Sequence, residues 1–254
     1  MPITIKSERE IELMTEAGRI LGIVHKELEK ALKPGMSTLD IDALGEEVIR
    51  SYGCEPSFLN YNGYPASICV SVNDEIVHGI PSAKHLIKEG DIVSLDAGVI
   101  YKGYHSDAAR THAVGEVRPD LQKLIDVTRE SFFEGIKFAK EGNHLYDISR
   151  AIGDYAESFG YGVVRELCGH GIGTALHEAP EIPNYEMNRK GVLLKAGMTL
   201  AIEPMINAGT WQVRFLRDGW TVVTKDGSLS AHYENTILIT DGEPRILSLT
   251  EDTP

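Results

Sequence analysis

One stretch constrains this chain more than any other, the segment Asp91–Thr111. It reads as two strands joined by a tight turn at Lys102-Gly103, which places Gly98 opposite Asp107. Because side chains alternate along a strand, Asp96 lies on the same face as Asp107, one diagonal step away, where such neighbours are about 7–8 Å apart. Two carboxylates that point into one interior repel each other and are costly to bury. The hairpin therefore predicts a bound cation.

The same order of elements occurs on both sides of a break near residue 117. Ser7 and Glu10 form a capping box before a helix, and a second helix begins at Ser37 or Thr38 and ends at Tyr52-Gly53. Later patterns predict helices over 119–140 and 145–159 and strands near 161–168, 199–207, 220–224 and 231–240. We therefore predict an α+β fold in a single domain, 1–254, built from two related halves, about 7–115 and 119–240.

Composition narrows the class of protein. The 254 residues are 42% apolar and carry a formal charge of −13, which argues against nucleic acid or an anionic membrane as the main partner. The N-terminus lacks the basic and then apolar order of a signal peptide, and no apolar run is long enough for a membrane span. Three cysteines at no metal-site spacing favour a reducing compartment. We expect a cytoplasmic protein.

Two glutamates and a histidine add to the aspartate pair. Glu203 and Glu234 each stand inside an apolar or strand-like run, and His170 lies among glycines in Cys168-Gly-His-Gly-Ile-Gly173. Either glutamate alone is equally well explained by a salt bridge or an exposed strand end. Together with the aspartates, however, four embedded carboxylates balance the charge of two divalent cations. Oxygen ligands with one imidazole suit Mn, Fe(II), Co or Zn in an open, catalytic site.

At these residues the sequence resembles a known family. It is similar to the bacterial type I methionine aminopeptidases and, more widely, to the pita-bread metallopeptidases. The resemblance spans nearly the whole chain and is carried by a set of short motifs: Asn62-Gly-Tyr-Pro65, His78-Gly-Ile-Pro81, Asp91–Asp96, His105-Ser-Asp107, Cys168–Gly173, His177-Glu178, Ile202-Glu-Pro-Met205, Lys225–Ser230 and Tyr233-Glu-Asn-Thr236. It implies a pita-bread fold with two pseudo-symmetric halves, an antiparallel sheet inside and helices outside.

The resemblance implies a dinuclear centre with five ligands. Asp107 and Glu234 are expected to bridge two divalent ions (Co, Mn, Fe(II) or Zn), Asp96 to chelate one ion, and His170 with Glu203 to bind the other. Glu203 is also expected to move the proton of a metal-bridging water that attacks the scissile peptide bond.

Two further histidines receive catalytic roles from the resemblance. His177 is expected to hydrogen-bond the scissile carbonyl, and His78 to contact the scissile amide or leaving nitrogen. Without the motifs, each would more simply be a polar residue with a satisfied hydrogen bond.

The resemblance also implies a pocket for a methionine side chain. Its expected walls are Tyr61, Tyr64, Cys69, Leu176 and Trp220, with Phe58 at the edge, and a thioether packs well against aromatic rings. The alternative is that these side chains are ordinary core. Cys69 has no evident activating base, so we interpret it as a pocket wall rather than a nucleophile.

A weaker implication concerns a monovalent cation, Na or K, near Asn73, Glu75 and Ser230. Backbone carbonyls would supply most of its ligands. Gly98 departs from the Thr that many bacterial members carry, which bears on metal preference rather than on the reaction.

We therefore predict a metal-dependent methionine aminopeptidase. Its substrates would be the N-termini of nascent polypeptides with a small second residue, met during transient association with the ribosome, and the protein would be a monomer. The alternatives are an Xaa-Pro aminopeptidase or prolidase-like activity and a catalytically silent pita-bread module that binds a partner. Retention of all five ligand types counts against the silent module, and the chain length counts against the prolidase.

Overall fold

A computed structural model of the chain describes residues 2–249 and confirms the predicted α+β class. The α-helices are α1 (Glu8–Ala31), α2 (Thr38–Ser51), α3 (Pro119–Ile136) and α4 (Leu145–Ser158). The strands are mostly short: β1 (Glu55–Pro56), β2 (Ile68–Val72), β3 (Glu75–Val77), β4 (Ile92–Tyr101), β5 (Tyr104–Ala113), β6 (Gly162–Val163), β7 (Gly169–Gly171), β8 (Glu178–Ile182), β9 (Thr199–Ile202), β10 (Met205–Asn207), β11 (Val213–Phe215), β12 (Val222–Thr224), β13 (Ser230–His232), β14 (Asn235–Leu238) and β15 (Arg245–Ile246).

The first two helices begin where their capping boxes predict. Ser7 and Ser37 are the N-caps of α1 and α2, and the backbone N–H of each donates to the carboxylate of the acidic residue three positions on, Glu10 or Asp40. The helix predicted over 119–140 is shorter, because α3 ends at Ile136. The strand predicted over 161–168 is also shorter, because only Gly162–Val163 pairs with a neighbour.

The central hairpin has the predicted register. Tyr101 pairs with Tyr104, and Gly98 pairs with Asp107 across β4 and β5. On its other edge β4 pairs with β2 and β1, which completes a four-stranded antiparallel sheet. Helix α1 packs on β4 and β5, and α2 packs on β2, so the first core lies between these helices and this sheet.

The second half of the chain builds a five-stranded sheet in the order β15-β14-β9-β7-β8. Two three-stranded sheets, β13-β10-β6 and β11-β12-β3, complete the fold, and every strand pair described is antiparallel. Residues of α3 and α4 form a second core with β8, β9 and β14. Within residues 2–249, no helix is both long and apolar enough to cross a bilayer.

The two predicted glutamate-containing strands are each interrupted at the glutamate. The chain leaves the five-stranded sheet after β9 and enters a three-stranded sheet at β10, crossing at Glu203-Pro204. It returns between β13 and β14, crossing at Tyr233-Glu234. The Tyr233 N–H donates to the Pro204 carbonyl at 3.1 Å, so the two crossings lie side by side. The backbones of Glu203 and Glu234 therefore lie close to each other between the two sheets.

Candidate metal centre and active site

The five predicted ligand residues line one cavity of about 330 Å³. Ligand atoms of Asp107, His170 and Glu234 lie within 4.8 Å of one another, which is close enough for one ion to reach all three. Glu203 Oε1 is 3.6 Å from His170 Nε2. The hairpin register places Asp96 beside these groups, because Asp96 lies on the same face of the β4–β5 ladder as Asp107. Residues distant in sequence thus converge on one point.

Hydrogen bonds to the backbone hold these ligands across the two halves of the chain. The Asp107 N–H donates to Thr236 Oγ1 at 2.8 Å, and that hydroxyl donates to the Asp107 carbonyl at 2.9 Å. The Glu234 N–H donates to the Ala109 carbonyl at 2.9 Å. The Asn184 side chain donates to the Glu203 carbonyl at 3.0 Å. These contacts therefore fix the backbones of Asp107, Glu203 and Glu234.

His170 is held in the tautomer that a metal requires. Its Nδ1 lies 2.9 Å from the Gly171 carbonyl, which can only accept, so Nδ1 carries the hydrogen. The lone pair is then on Nε2, which faces Asp107 and Glu203. Outer hydrogen bonds of this kind fix ring orientation at metal sites.

The carboxyl groups are strongly perturbed by their surroundings. Burial raises the pKa of Asp107 to about 7. Burial, followed by the charge of Asp107, raises the pKa of Asp96, Glu203 and Glu234 well above the ordinary value. Burial lowers the pKa of His170 to about 3, so this imidazole is neutral at pH 7. Without a cation, the cluster can ionise fully only at a large free-energy cost.

The donor set fits a divalent metal. Buried oxygens of Asp96, Asp107 and Glu234 have no hydrogen-bond partner among the described residues, although such atoms are normally satisfied. Carboxylate oxygens with one neutral imidazole are ligands of the hard to borderline type. The orphaned oxygens point to a cation rather than to a structural hydrogen-bond network.

The two predicted catalytic histidines line the same cavity. His177 Nδ1 lies 2.8 Å from the Tyr61 hydroxyl, and the two rings stack with centroids 5.3 Å apart. His78 lies edge-on to Trp220 with centroids 6.2 Å apart, and its backbone has a positive φ of 59°. Burial lowers the pKa of His78 to about 4 and also lowers the pKa of His177. Both imidazoles are therefore neutral near pH 7.

The structure also brings the predicted pocket residues to this cavity: Phe58, Tyr61, Tyr64, Cys69, Leu176 and Trp220 all line it. The same side chains pack in one hydrophobic cluster, so the pocket and core interpretations describe one set of contacts. Tyr64 meets Trp220 edge-on at 5.1 Å and donates to the Gly79 carbonyl at 2.9 Å. Burial raises the pKa of the Cys69 thiol, which does not favour a nucleophilic thiolate.

The residues predicted for a monovalent cation lie near one another but are engaged in other contacts. The Ser230 N–H donates to the Asn73 carbonyl at 2.9 Å, and the Ser230 hydroxyl contacts Asn207 Oδ1 at 2.9 Å. The Glu75 carboxylate accepts from the Val72 N–H at 2.9 Å. The monovalent site stays a prediction.

Several residues of the site were not singled out from the sequence. Asn62 lines the cavity, and Asn184 and Thr236 hold ligand backbones. Ser57 contacts His105 Nδ1 at 3.0 Å beside the hairpin. Asn62 and Thr236 belong to motifs quoted for the resemblance, and those motifs could have identified them. The contacts of Asn184 and Ser57 depend on tertiary packing and leave no local pattern.

Gly98 is required by the approach of a neighbouring loop. A Cβ built there would lie 2.6 Å from Ser57 Cβ and 3.0 Å from Phe58 Cε1. The space that a larger residue would occupy beside the metal ligands is thus filled by Ser57 and Phe58.

Comparisons with known proteins agree with this geometry. The model of metallopeptidase family M24 matches residues 12–241. Over 249 residues the chain is 55% identical to a methionine aminopeptidase of Clostridium acetobutylicum. The aligned region covers 98% of this chain and 100% of that protein.

Among solved structures, a methionine aminopeptidase of Thermotoga maritima superposes with a TM-score of 0.96 at 45% identity, covering 98% of this chain and 100% of that one. A prolidase of Pyrococcus furiosus gives 0.79 at 25% identity and covers 97% of this chain but only 66% of the prolidase. These likenesses confirm the predicted pita-bread fold, and the chain belongs to metallopeptidase family M24.

Proposed function

We propose that this chain is a methionine aminopeptidase, a metal-dependent exopeptidase that removes the initiator methionine from proteins. The observation that carries the proposal is the single cavity in which five metal-ligand side chains meet two neutral histidines and an aromatic wall. The similarity to methionine aminopeptidases over almost the full length supports it.

Asp96, Asp107, His170, Glu203 and Glu234 would hold two divalent ions, with Asp107 and Glu234 shared between them. Co, Mn, Fe(II) and Zn all suit these donors. Such ions act as Lewis acids that lower the pKa of water and polarise a carbonyl.

Glu203 is the residue we assign to proton transfer. Its side chain is 14% exposed, which leaves it the most accessible carboxylate of the five-ligand set toward the cavity. Burial, followed by the charge of Asp107, raises its pKa above the ordinary value, which is the direction in which enzymes tune a carboxylate for proton transfer. A group with a pKa near the working pH both accepts and returns a proton efficiently.

His177 is assigned to the scissile carbonyl. When the Tyr61 hydroxyl donates to Nδ1, the ring hydrogen is on Nε2 and can donate to the oxygen that gains negative charge. Because His177 is neutral near pH 7, this donor carries no charge of its own into the site. His78, also neutral near pH 7, would contact the amide nitrogen.

The aromatic wall would bind the methionine side chain. Tyr64, Trp220 and Cys69 offer ring edges and a thiol of the soft type that a thioether contacts well, at about 0.3–1.5 kcal/mol per sulfur–ring contact. The cavity of about 330 Å³ lies at the small end of the range for ligand sites, which suits one residue rather than a long peptide.

Two rival functions are disfavoured by specific observations. The chain is only 25% identical to the Pyrococcus prolidase, whereas it is 55% identical to a methionine aminopeptidase over 98% of its length. A silent binding module would have no need for buried, unpartnered carboxylate oxygens, and these are present.

The test is a peptide panel with metal added and withheld. Met-Ala-X and Met-Gly-X should be cleaved by protein supplied with Mn or Co, and Xaa-Pro-X should not. Exhaustive chelation should abolish cleavage. Equal rates on Leu-Ala-X, or preferred cleavage of Xaa-Pro-X, would contradict the proposal.

The cellular setting remains part of the proposal. Nascent polypeptides with a small second residue would be the substrates, met in the cytoplasm and in transient contact with the ribosome by a monomeric enzyme. The acidic charge and the absence of paired cysteines in the described chain support that setting.

A further inference from the structure

The segment 172–177 is an irregular loop between β7 and β8, and it carries two residues of the active-site cavity. Leu176 and His177 both line that cavity, and His177 lies where solvent can reach it. At its beginning the loop is tied to the central hairpin, because the Gly173 carbonyl accepts from the His105 N–H at 2.8 Å. The position of His177 therefore depends on what holds the rest of the loop.

Glu178, the first residue of β8, holds the second part of the loop. Its Oε1 accepts from the Ala175 N–H at 3.3 Å, so the side chain folds back over the loop. Its Oε2 lies 2.7 Å from Lys6 Nζ and accepts from the Thr4 hydroxyl at 2.8 Å. Burial alone would raise the pKa of Glu178, but the hydrogen bonds from Lys6 and Thr4 outweigh it and lower that pKa. The carboxylate is therefore ionised at neutral pH.

The ion pair between Lys6 and Glu178 is buried. The Lys6 side chain is 5% exposed and that of Glu178 is 7% exposed. In the Lys30–Glu27 pair on α1 the corresponding values are 58% and 43%, and pairs of that kind contribute little to stability. Loss of one partner from a buried pair, in contrast, leaves an uncompensated charge and is strongly unfavourable. The Glu178 side chain therefore keeps its position only while the ammonium group is beside it.

A glycine allows the ion pair to lie directly against the loop. A Cβ at Gly173 would be 2.4 Å from Glu178 Oε1 and 2.6 Å from Lys6 Cε. Both distances are too short for any side chain larger than hydrogen. The backbone of the loop is thus packed on the ion pair itself.

The backbone of Lys6 is also fixed. Its N–H donates to the Gly197 carbonyl at 2.8 Å, and the Gly197 N–H donates to the Ile239 carbonyl at 2.9 Å. The next residue, Ser7, is the N-cap of α1. Lys6 therefore reaches the loop from a segment that is attached to the second half of the chain.

We propose that Lys6 is a positioning residue for the peptidase reaction. Through Glu178 it holds the loop so that His177 faces the scissile carbonyl and Leu176 closes the methionine pocket. Lys6 itself is not part of the cavity lining. Without the ammonium group, the Glu178 carboxylate would turn toward water and release the Ala175 N–H. This inference rests on the function proposed above and adds a residue at the other end of the chain to it.

The first test is hydrogen exchange, measured by mass spectrometry on the metal-loaded protein. Lys6→Met keeps the length of the side chain and removes its charge, and amide exchange over 172–178 should become roughly tenfold faster. Thr4→Val removes one donor to Glu178 but keeps the ion pair and the fold, and exchange there should rise about threefold. The matched control is Lys30→Met, which breaks a surface pair and should leave exchange over 172–178 unchanged.

The second test is a kinetic cycle on Met-Ala-X at saturating Mn. Lys6→Met should lower kcat roughly tenfold, with a smaller rise in KM as Leu176 is displaced. In a His177→Ala background the same substitution should lower kcat by less than about twofold, because the residue through which Lys6 acts is already missing. A purely structural ion pair would lower kcat by the same factor in both backgrounds.

The two tests decide the proposal separately from the peptidase function. Unchanged exchange over 172–178 in both Lys6→Met and Thr4→Val overturns the proposal, as does exchange that becomes equally faster throughout the chain. Equal losses of kcat with and without His177 overturn it as well. Failure of the unsubstituted protein to cleave Met-Ala-X would contradict the peptidase function, and hydrogen exchange alone would then decide whether Lys6 holds the loop.

Discussion

Removal of the metal ions should make the stability of the protein depend on pH in a defined direction. In the metal-free protein the raised pKa of Asp107 means that the folded state keeps a proton which the unfolded chain has already lost. A group of this kind contributes its full stability below its unfolded pKa of about 4, and the contribution is lost as the pH rises through the folded value of about 7. Bound divalent ions replace the protons and cancel the loss.

The size of the loss of stability follows from the shift in the pKa of Asp107. A pKa near 7 in place of about 4 is about three units, so ionising Asp107 in the metal-free fold costs about 4 kcal/mol in total. About 2 kcal/mol of that arises between pH 5 and pH 7. Asp96, Glu203 and Glu234 have raised pKa values too and act in the same direction.

The assay is urea unfolding of the metal-free and Mn-loaded protein at several pH values between about 5 and 8. Buried histidines such as His25 and His112 have lowered pKa values and act in the opposite direction below about pH 6.5. They are present in both forms, so the difference between the two unfolding free energies removes them. That difference should grow with pH.

Two variants sharpen the experiment. Asp107→Asn should lessen the pH dependence of the metal-free protein, because the neutral amide has no proton to lose and no longer raises the pKa of Asp96, Glu203 and Glu234 by its charge. Asp154→Asn on the exposed face of α4 is the matched control and should leave the dependence unchanged. A gap between metal-loaded and metal-free protein that stays constant or narrows as the pH rises would refute the reasoning.

Three further predictions concern individual residues. At saturating Mn, Glu203→Gln should lower kcat by about 10²–10⁴, and metal content measured by atomic emission separates this loss from weaker metal binding, because Glu203 is also an expected ligand; an unchanged kcat would reject its role in proton transfer. Tyr61→Phe removes the 2.8 Å contact to His177 and should lower kcat roughly tenfold with little change in KM, and a change in KM alone would contradict an orienting role. Gly98→Ala should cost about 1–3 kcal/mol, read from urea unfolding, because its Cβ meets Ser57; full stability would show that the loop moves freely.

The position of Asp96 and Asp107 on one face of the hairpin could be predicted from sequence because it depends on local geometry. Two residues at Lys102-Gly103 set the register, and the register places Asp96 and Asp107 on one face. Glu203 and Glu234 were recognised by an apolar context that suits no solvated glutamate. Their crossing between sheets was not predicted, because an interruption of two residues leaves the apolar run looking continuous.

Other elements lack any local signal. Strands β8, β11 and β15 each pair with the neighbouring strand in sequence, but they have only five, three and two residues, too few for an alternating pattern to stand out. Asn184 leaves no local pattern either, because its role is to hold another residue's backbone. The cavity between α1 and α3 draws its walls from five separated segments, so composition alone gives no hint of it.

The paired crossings at Glu203-Pro204 and Tyr233-Glu234 have a consequence for how the protein comes apart. Asp107 belongs to one half of the chain and Glu234 to the other, and their backbones are tied through Ala109 and Thr236. Metal ions bound by both residues would link the two halves of the chain, so that neither half could unfold while the ions remained bound to the other. Protease susceptibility of the two halves should then fall together on metal addition, and a cell short of metal would lose the enzyme to degradation as well as to inactivity.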